Sequence, residues 1–355
     1  MAAPLIEIRL ARSPGERRVA LLRGGVMQGY RLERPARHDG VGDILQGRIA
    51  ARAPGLAGAF VALPDDSTGF LPESECEGRR TPPEGTRLTL RVIRAAQGGK
   101  GPRLSARTPP RAGEGVLARG PDQALRWAAA FPDAPVIADD AAEVARLRAA
   151  LGPGRVTLAA AFDDALEAEV EVLAQPVVHL PGGGRLIVSP LPALTAVDVD
   201  SGSDTPAEAN RAALPEFARQ LRLRDLAGPI LLDVAGLSTR QRAALEAPLR
   251  ASLGGDPLAR YLGLGPLGLF EMTRTRVHPP LHEVLADRAL ARGLALLRRA
   301  AREAAAAPAR RLALHAPRAV LEALRALPGA LDEFAAGAGR PIALVDSALE
   351  EIADA

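Results

Sequence analysis

The sequence predicts a multidomain α/β protein with additional α+β parts, and three observations carry that reading. Apolar runs at Leu186-Ile187-Val188, Leu194 to Val199 and Ile230-Leu231-Leu232 enclose a helical stretch, and the last two each lead directly into an aspartate. From about Gly42 to Arg107 the texture is strand and turn throughout. Beyond about Val284 the chain becomes Ala/Leu/Arg helix mixed with short apolar runs. With 355 residues, 47% of them apolar, the chain can bury one large core or two to three smaller ones.

Taken in order, Leu5 to Leu10, Arg18 to Arg23 and Val26 to Leu32 read as three strands joined by the turns Ser13-Pro14-Gly15 and Gly24-Gly25. Three strands without a helix cannot close a core, so they must pair with something later in the chain. Ile44 to Ala51, Ala57 to Leu63, Gly69-Phe70-Leu71 and Leu88 to Ile93 would make a small barrel, and an OB-like fold suits a segment of this size. Ser105 to Gly120, with Pro109, Pro110, Gly113 and Gly115, is a linker by composition. A helix over Asp122 to Phe131, the strand Pro135-Val136-Ile137 and a helix over Ala142 to Leu151 return the chain to α/β material. Pro215 interrupts the helical stretch between the aspartate runs, and two helices broken before it are expected, because an interior proline costs about 3 kcal/mol. The last part reads as a strand over Arg311 to His315, a helix over Ala319 to Leu327 and a strand over Pro341 to Val345, a small α+β domain.

Composition bounds the function. Only 3% of residues are Phe, Trp or Tyr, so the core is aliphatic and each aromatic ring merits individual attention. A net charge of +3 is too small to make the whole protein basic, and local patches must carry any nucleic-acid argument. Every basic side chain except Lys100 is Arg, which points to GC-rich codon usage more than to selection for phosphate forks. The single cysteine, Cys76, excludes an intramolecular disulfide framework and any zinc site built from cysteine pairs within one chain. Neither a signal-peptide apolar stretch nor a run of ~18 apolar residues is present, so the expectation is a cytoplasmic protein with no membrane partner.

The chemistry centres on Asp198, after Ala-Leu-Thr-Ala-Val, and Asp233, after Pro-Ile-Leu-Leu. Each carboxylate would sit at the C-terminal edge of a buried strand, and adjacent strands would bring the two face to face, where open α/β sheets bind ligands. Taken alone, such aspartates also fit as caps of the loops that follow. Two carboxylates at close range repel, and a divalent cation relieves this. Hard, oxygen-liganded Mg²⁺ suits phosphate chemistry, since it polarises a phosphoryl oxygen and activates water.

The blocks LPGGGRLIVSPLPALTAVDVDS (Leu180 to Ser201), ARQLRLRDLAGPILLDV (Ala218 to Val234) and GLFEMTRTR (Gly268 to Arg276) resemble the catalytic domain of the ribonuclease E/G family in wording, order and spacing. The resemblance implies a magnesium-dependent endoribonuclease that cuts single-stranded RNA to 5′-phosphate and 3′-hydroxyl ends. It carries the family's magnesium-binding aspartates, those of its AID and VID motifs, over to Asp198 and Asp233. The architecture it implies has a ribonuclease-H-like subdomain in two parts (1–40 and 121–177) with an OB-fold RNA-binding domain inserted between them (41–107). A linker follows the OB domain (108–120), and a deoxyribonuclease-I-like catalytic subdomain (178–284) and a small C-terminal domain (285–355) complete the chain. GAFVAL (Gly58 to Leu63) and TGFLP (Thr68 to Pro72) match the OB domain, placing Phe60 and Phe70 at the base-contacting aromatics. Exposed rings there would stack unpaired bases. Lys100 in QGGKGPRLS resembles the family's Gly-Lys-Gly loop near the RNA path.

Three departures qualify the resemblance. The family carries Asn two residues after the first aspartate, where this chain has Asp200, a carboxylate that would either repel phosphate or add a third metal ligand. The family's sensor for 5′-monophosphate ends is reduced to the linker, where Arg119 is followed by Gly120 and not Thr. The zinc-linking cysteines are absent from RTRVHPPLHEVLADRA, so any homodimer does not depend on zinc, and His278 and His282 read as surface residues. The rival reading is a catalytically inactive RNA-binding protein that uses the OB domain.

Overall fold

The computed structural model describes residues 5–355. It divides into two compact units: one comprises residues up to His38, Gln123–Arg274 and Pro280–Ala355, and the other Asp39–Asp122 with Thr275–Pro279. Among the described residues no helix is long and apolar enough to cross a membrane.

Among the described residues the first unit contains three sheets. The strands Ile6–Ser13, Glu16–Arg23 and Val26–Glu33 form an antiparallel meander, and the partner they require comes after the inserted unit: Val136–Ala138 pairs parallel to Ile6–Ser13, and Val156–Leu158 pairs beyond it. Ile8, Leu10 and Val19 pack there against Ala124 and Ala128 of the helix Gln123–Ala130 and Leu147 of the helix Ala141–Leu151. The C-terminal sheet places Leu312–Ala316 between Ala343–Asp346 and Glu351–Asp354, against the helices Arg288–Ala306, Arg318–Ala326 and Ala330–Ala338.

The central sheet positions the candidate site. Its order is Val177–His179, Arg185–Pro190, Thr195–Asp200, Gly228–Asp233, Phe270–Arg274 and Ala259–Leu264. Only the two aspartate strands run parallel to each other, joined by the helix Pro206–Leu223. That helix begins with Thr205 and Glu208 as a reciprocal capping box and Pro206 at its first turn, where a missing N–H costs nothing. It then runs unbroken through Pro215, which corrects the expected break. Pro215 and Arg211 are both exposed, so water can satisfy the Arg211 carbonyl that loses its donor. Burial of Leu214, Phe217, Leu221 and Leu223, about 1.5–3 kcal/mol each, outweighs a penalty of about 3 kcal/mol. The helix covers one face of the sheet, packing on Leu186, Val188, Val197, Val199, Ile230 and Leu232. By the pleat, the intervening residues, Asp198 among them, lie on the other face.

In the second unit five strands close on themselves. Numbered in chain order, Ile44–Ala53, Gly58–Ala62, Thr68–Pro72, Arg87–Arg94 and Arg103–Ser105 follow the order one-two-three-five-four and return to one. Ile49, Val61, Leu71, Leu90 and Leu104 fill the interior. The closing strand and Val116–Ala118, which pairs on Ile44–Ala53 within the stretch expected to be linker, are three residues each, too short to leave a periodic signal.

Candidate functional site

Asp198 and Asp233 are direct cross-strand partners on the parallel pair. Neighbouring strands stand roughly 4.8 Å apart, so two carboxylates on one face there cannot avoid each other. Asp198 shows the effect: partial loss of hydration, then the charge of Asp233, then that of Asp200 push its pKa upward. The Asp233 Oδ1 accepts a hydrogen bond of 2.6 Å from Arg242 Nη1. Arg242 is fixed for this purpose, since it also donates to the carbonyls of Leu237, Val234 and Gly268. Asn210, fully buried on the connecting helix, braces the loop after Asp233 by exchanging two bonds of 2.9 Å with the backbone of Ala235.

Asp200 lies two residues beyond Asp198, on the same face, but it is already engaged. Its Oδ2 accepts from Arg185 Nε at 2.9 Å and Nη2 at 2.6 Å, and its Oδ1 accepts from the Gly202 N–H at 2.9 Å. The backbone bond and the guanidinium lower its pKa. Gly202 is required at that turn, because its φ is +56° and a Cβ would come within 2.3 Å of the Gly183 carbonyl. Among the described residues no three His, Cys, Asp or Glu side chains converge as a metal cage. Two carboxylates are nevertheless a sufficient protein donor set for magnesium, which keeps water and phosphate oxygens as its remaining ligands, and Asp198 and Asp233 fit that need.

The repulsion felt by Asp198 gives a signed expectation. A carboxyl group whose pKa is raised on folding favours the fold below its unfolded value, and that advantage is lost as pH rises through the raised one. At neutral pH the ionised group is therefore a liability without metal, and Asp198→Asn removes it. In EDTA at pH 7 the variant should melt no lower than the wild type, while added magnesium should raise the melting temperature of the wild type alone. A melting point several degrees lower in EDTA would show that Asp198 is a structural cap.

The second set of residues lies on the barrel. Phe60 and Phe70 are cross-strand partners with ring centroids 5.7 Å apart and planes at 65°, and Phe60 is 39% exposed, so the pair faces outward. The same register continues with Arg103 beside Phe70 and Arg94 beside Arg103. One row thus reads ring, ring, guanidinium, guanidinium. Arg94 and Arg103 form no ion pair among the described residues. Partial burial first, then the charges of Arg103 and Arg276, lower the pKa of Arg94. Lys100 is exposed at a two-residue hairpin turn, with Gly98 and Gly99 at φ +52° and +74° and reciprocal backbone bonds of 2.8 Å between Gln97 and Lys100.

Other residues prominent in the sequence have structural partners. Arg274 is buried and bonded to Asp225 and Asp256 at 2.6 and 2.7 Å. His278 holds Asp39 at 2.6 Å, and Cys76 is buried with its thiol toward the Pro72 carbonyl. Arg242, Asn210, Arg185, Arg94 and Arg103 do not stand out in the sequence, where the abundance of arginine hides the few that matter. The only signal for any of them is the spacing of Arg185, fifteen residues before Asp200 across a proline-containing turn, which suits a hairpin pair.

Fold and site together define a multidomain α/β protein with a carboxylate pair on an open sheet face and a closed barrel bearing an aromatic and basic row. A model described as the ribonuclease E/G family matches residues 153–277, a span that includes Arg185, Asp198, Asp200, Asp233 and Arg242. Ribonuclease E of Escherichia coli is 35% identical over 128 residues, 33% of this chain and 12% of that protein. Ribonuclease G of Salmonella typhimurium is 25% identical over 394 aligned residues, covering 78% of this chain and 81% of that protein. A solved multidomain protein with nucleic acid binding domains from Streptococcus pneumoniae matches 52% of this chain and 77% of that chain at 15% identity, but its TM-score of 0.20 is too low to bear on the fold. Residues 153–277 thus match the ribonuclease E/G family, and ribonuclease G proteins align over most of the chain. The chain spans only a small fraction, 12% and 19%, of the ribonuclease E proteins of Escherichia coli and Nostoc that it matches.

Proposed function

We propose that this chain is a magnesium-dependent endoribonuclease that cleaves single-stranded RNA, leaving 5′-phosphate and 3′-hydroxyl ends. The observation that carries the reading is the direct pairing of Asp198 with Asp233 on the only parallel strands of an otherwise antiparallel sheet. In this reading residues 178–284 are the deoxyribonuclease-I-like catalytic subdomain, 1–40 and 121–177 the ribonuclease-H-like subdomain, and 285–355 the small C-terminal domain. Residues 41–107 are an OB fold, supported by the barrel order one-two-three-five-four-one, with Phe60 and Phe70 on strands two and three.

Asp198 and Asp233 would hold the cation. A bound Mg²⁺ supplies Lewis-acid chemistry, polarising a phosphoryl oxygen and making water a better nucleophile. Arg242 and Asn210 keep Asp233 and its loop in place, so the carboxylate need not reorganise during reaction. In the cleavage itself a water oxygen bonds to phosphorus, the bond to the 3′-oxygen breaks, and that oxygen takes up a proton. Phe60, Phe70 and Lys100 grip the RNA, with the rings stacking its bases.

A defined oligoribonucleotide labelled at one end, incubated with Mg²⁺ or with EDTA, tests the proposal when the ends of its products are identified. Absence of metal-dependent cleavage with RNA binding retained would favour an inactive RNA-binding protein. The same assay addresses the 5′ end. Arg119, the nearest match to the family's sensor arginine, donates to Asp43 Oδ2 at 2.7 Å, and the N–H of Gly120 donates to Asp43 Oδ1 at the same distance. With that charge neutralised, substrates bearing 5′-monophosphate and 5′-hydroxyl should be cut at similar rates. A tenfold preference for the monophosphate, about 1.4 kcal/mol, would contradict this.

A further inference from the structure

We propose that Arg185 binds the phosphate at the cleavage site and that Asp200 is the positioning residue that holds its guanidinium there, an assignment that rests on the endonuclease reading above. Arg185 stands directly opposite Asp200 on the neighbouring antiparallel strand, one pleat along from Ile187 opposite Asp198. Leu186, Val188, Val197 and Val199 are buried beneath the helix, so Arg185, Asp198 and Asp200 share the open face.

The two arginines beside the carboxylates differ in what they have left to give. Arg242 spends four of its five N–H groups on Asp233 and on three backbone carbonyls. Arg185 spends two, both on Asp200 Oδ2, and retains three with its side chain 49% exposed. Asp200 in turn is fixed from its other oxygen by Gly202. The result is a guanidinium fork held by one edge, which suits a phosphate on its free edge. Charge agrees. Asp198, Asp200 and Asp233 against Arg185 and Arg242 sum to one negative charge, and a single divalent cation turns this to one positive, the complement of one phosphodiester. A carboxylate at position 200, which by itself would repel phosphate, becomes tolerable because Arg185 neutralises it.

The test compares wild type with Arg185→Ala, Arg185→Lys, Asp200→Ala and the double variant Arg185→Ala/Asp200→Ala, each checked by thermal melting. The rate of cleavage is read under single-turnover conditions, and binding of Mn²⁺ is read by electron paramagnetic resonance without RNA. Arg185→Ala should slow cleavage by roughly 10²-fold, the scale of losing one donor to a developing oxyanion, and Arg185→Lys should recover part of it. Asp200→Ala should slow cleavage less, the double variant should be no slower than Arg185→Ala, and Mn²⁺ should bind the double variant, from which both charges are gone, as it binds the wild type. Tighter Mn²⁺ binding by Arg185→Ala, which leaves Asp200 unpaired, also supports the assignment. Weaker Mn²⁺ binding by tenfold or more in the double variant, where no unpaired guanidinium remains, would make Asp200 a metal ligand and overturn it, as would an Arg185→Ala that cuts at the wild-type rate. The second outcome leaves the endonuclease reading standing, whereas a wild type that does not cut removes both.

Discussion

Replacing Asp198 or Asp233 by Asn should lower RNA cleavage by several orders of magnitude while affinity for single-stranded RNA holds or rises. In the proposed function each change removes one negative charge from a site with two protein ligands for the cation, so metal occupancy should fall together with the chemistry it supports. Binding should be spared, since the rings proposed to stack bases are on the barrel. Affinity can even increase, because removing a carboxylate weakens its repulsion of phosphate. The measurement is cleavage and binding of one oligoribonucleotide in nuclease-free preparations. Wild-type cleavage by both variants would show that the paired carboxylates are not the active site.

The second large effect lies on the barrel. Phe60→Ala should weaken single-stranded RNA binding by about 1–3 kcal/mol, the worth of one base stacked on one ring. It should leave Mn²⁺ or Mg²⁺ binding unchanged. The row predicts a different signature for its basic end: replacing both Arg94 and Arg103 by Ala should flatten the dependence of log affinity on log salt by roughly 1.4, at about 0.7 for each single-strand phosphate that is no longer neutralised. Equilibrium binding at a series of salt concentrations decides it. An unchanged slope would mean that the arginines merely line the barrel surface, and an unchanged affinity in Phe60→Ala would remove the ring from the RNA path.

Much of the scaffold is legible in the sequence because it is written in periodicity. The three opening strands, four of the five barrel strands and the two aspartate strands fall within a few residues of their expected places, since each carries several alternating or continuous apolar positions. The closing strand Arg103–Ser105 does not show, and neither does the helix Ala330–Ala338, whose alanines and glycines weaken any amphipathic stripe. Pro215 misleads because a local rule, that proline ends helices, is overridden by burial on the helix's inner side. At the site, the positions of Asp198 and Asp233 can be read from strand ends, but the partners of those carboxylates cannot. Whether Asp200 meets Arg185, or Asp233 meets Arg242, depends on register and on the path of a loop, and one arginine among so many gives no sign of which carboxylate it will meet.

The short strand Val116–Ala118 has a meaning beyond the barrel it borders. It lies against Ile44–Ala53, so the segment that leaves the second unit is zipped to the segment that enters it, and Gly120 packs on Val41 and Gly42 at the root. The stretch 44–118 is therefore a cassette whose two ends are clasped together within the second unit, which also takes in Thr275–Pro279. Closing a long free loop costs entropy that grows with the logarithm of its length, and a clasp at the base supplies that closure from within the cassette. Insertions and deletions inside the cassette can then vary without altering the span that Ile6–Ser13 and Val136–Ala138 must bridge to find each other.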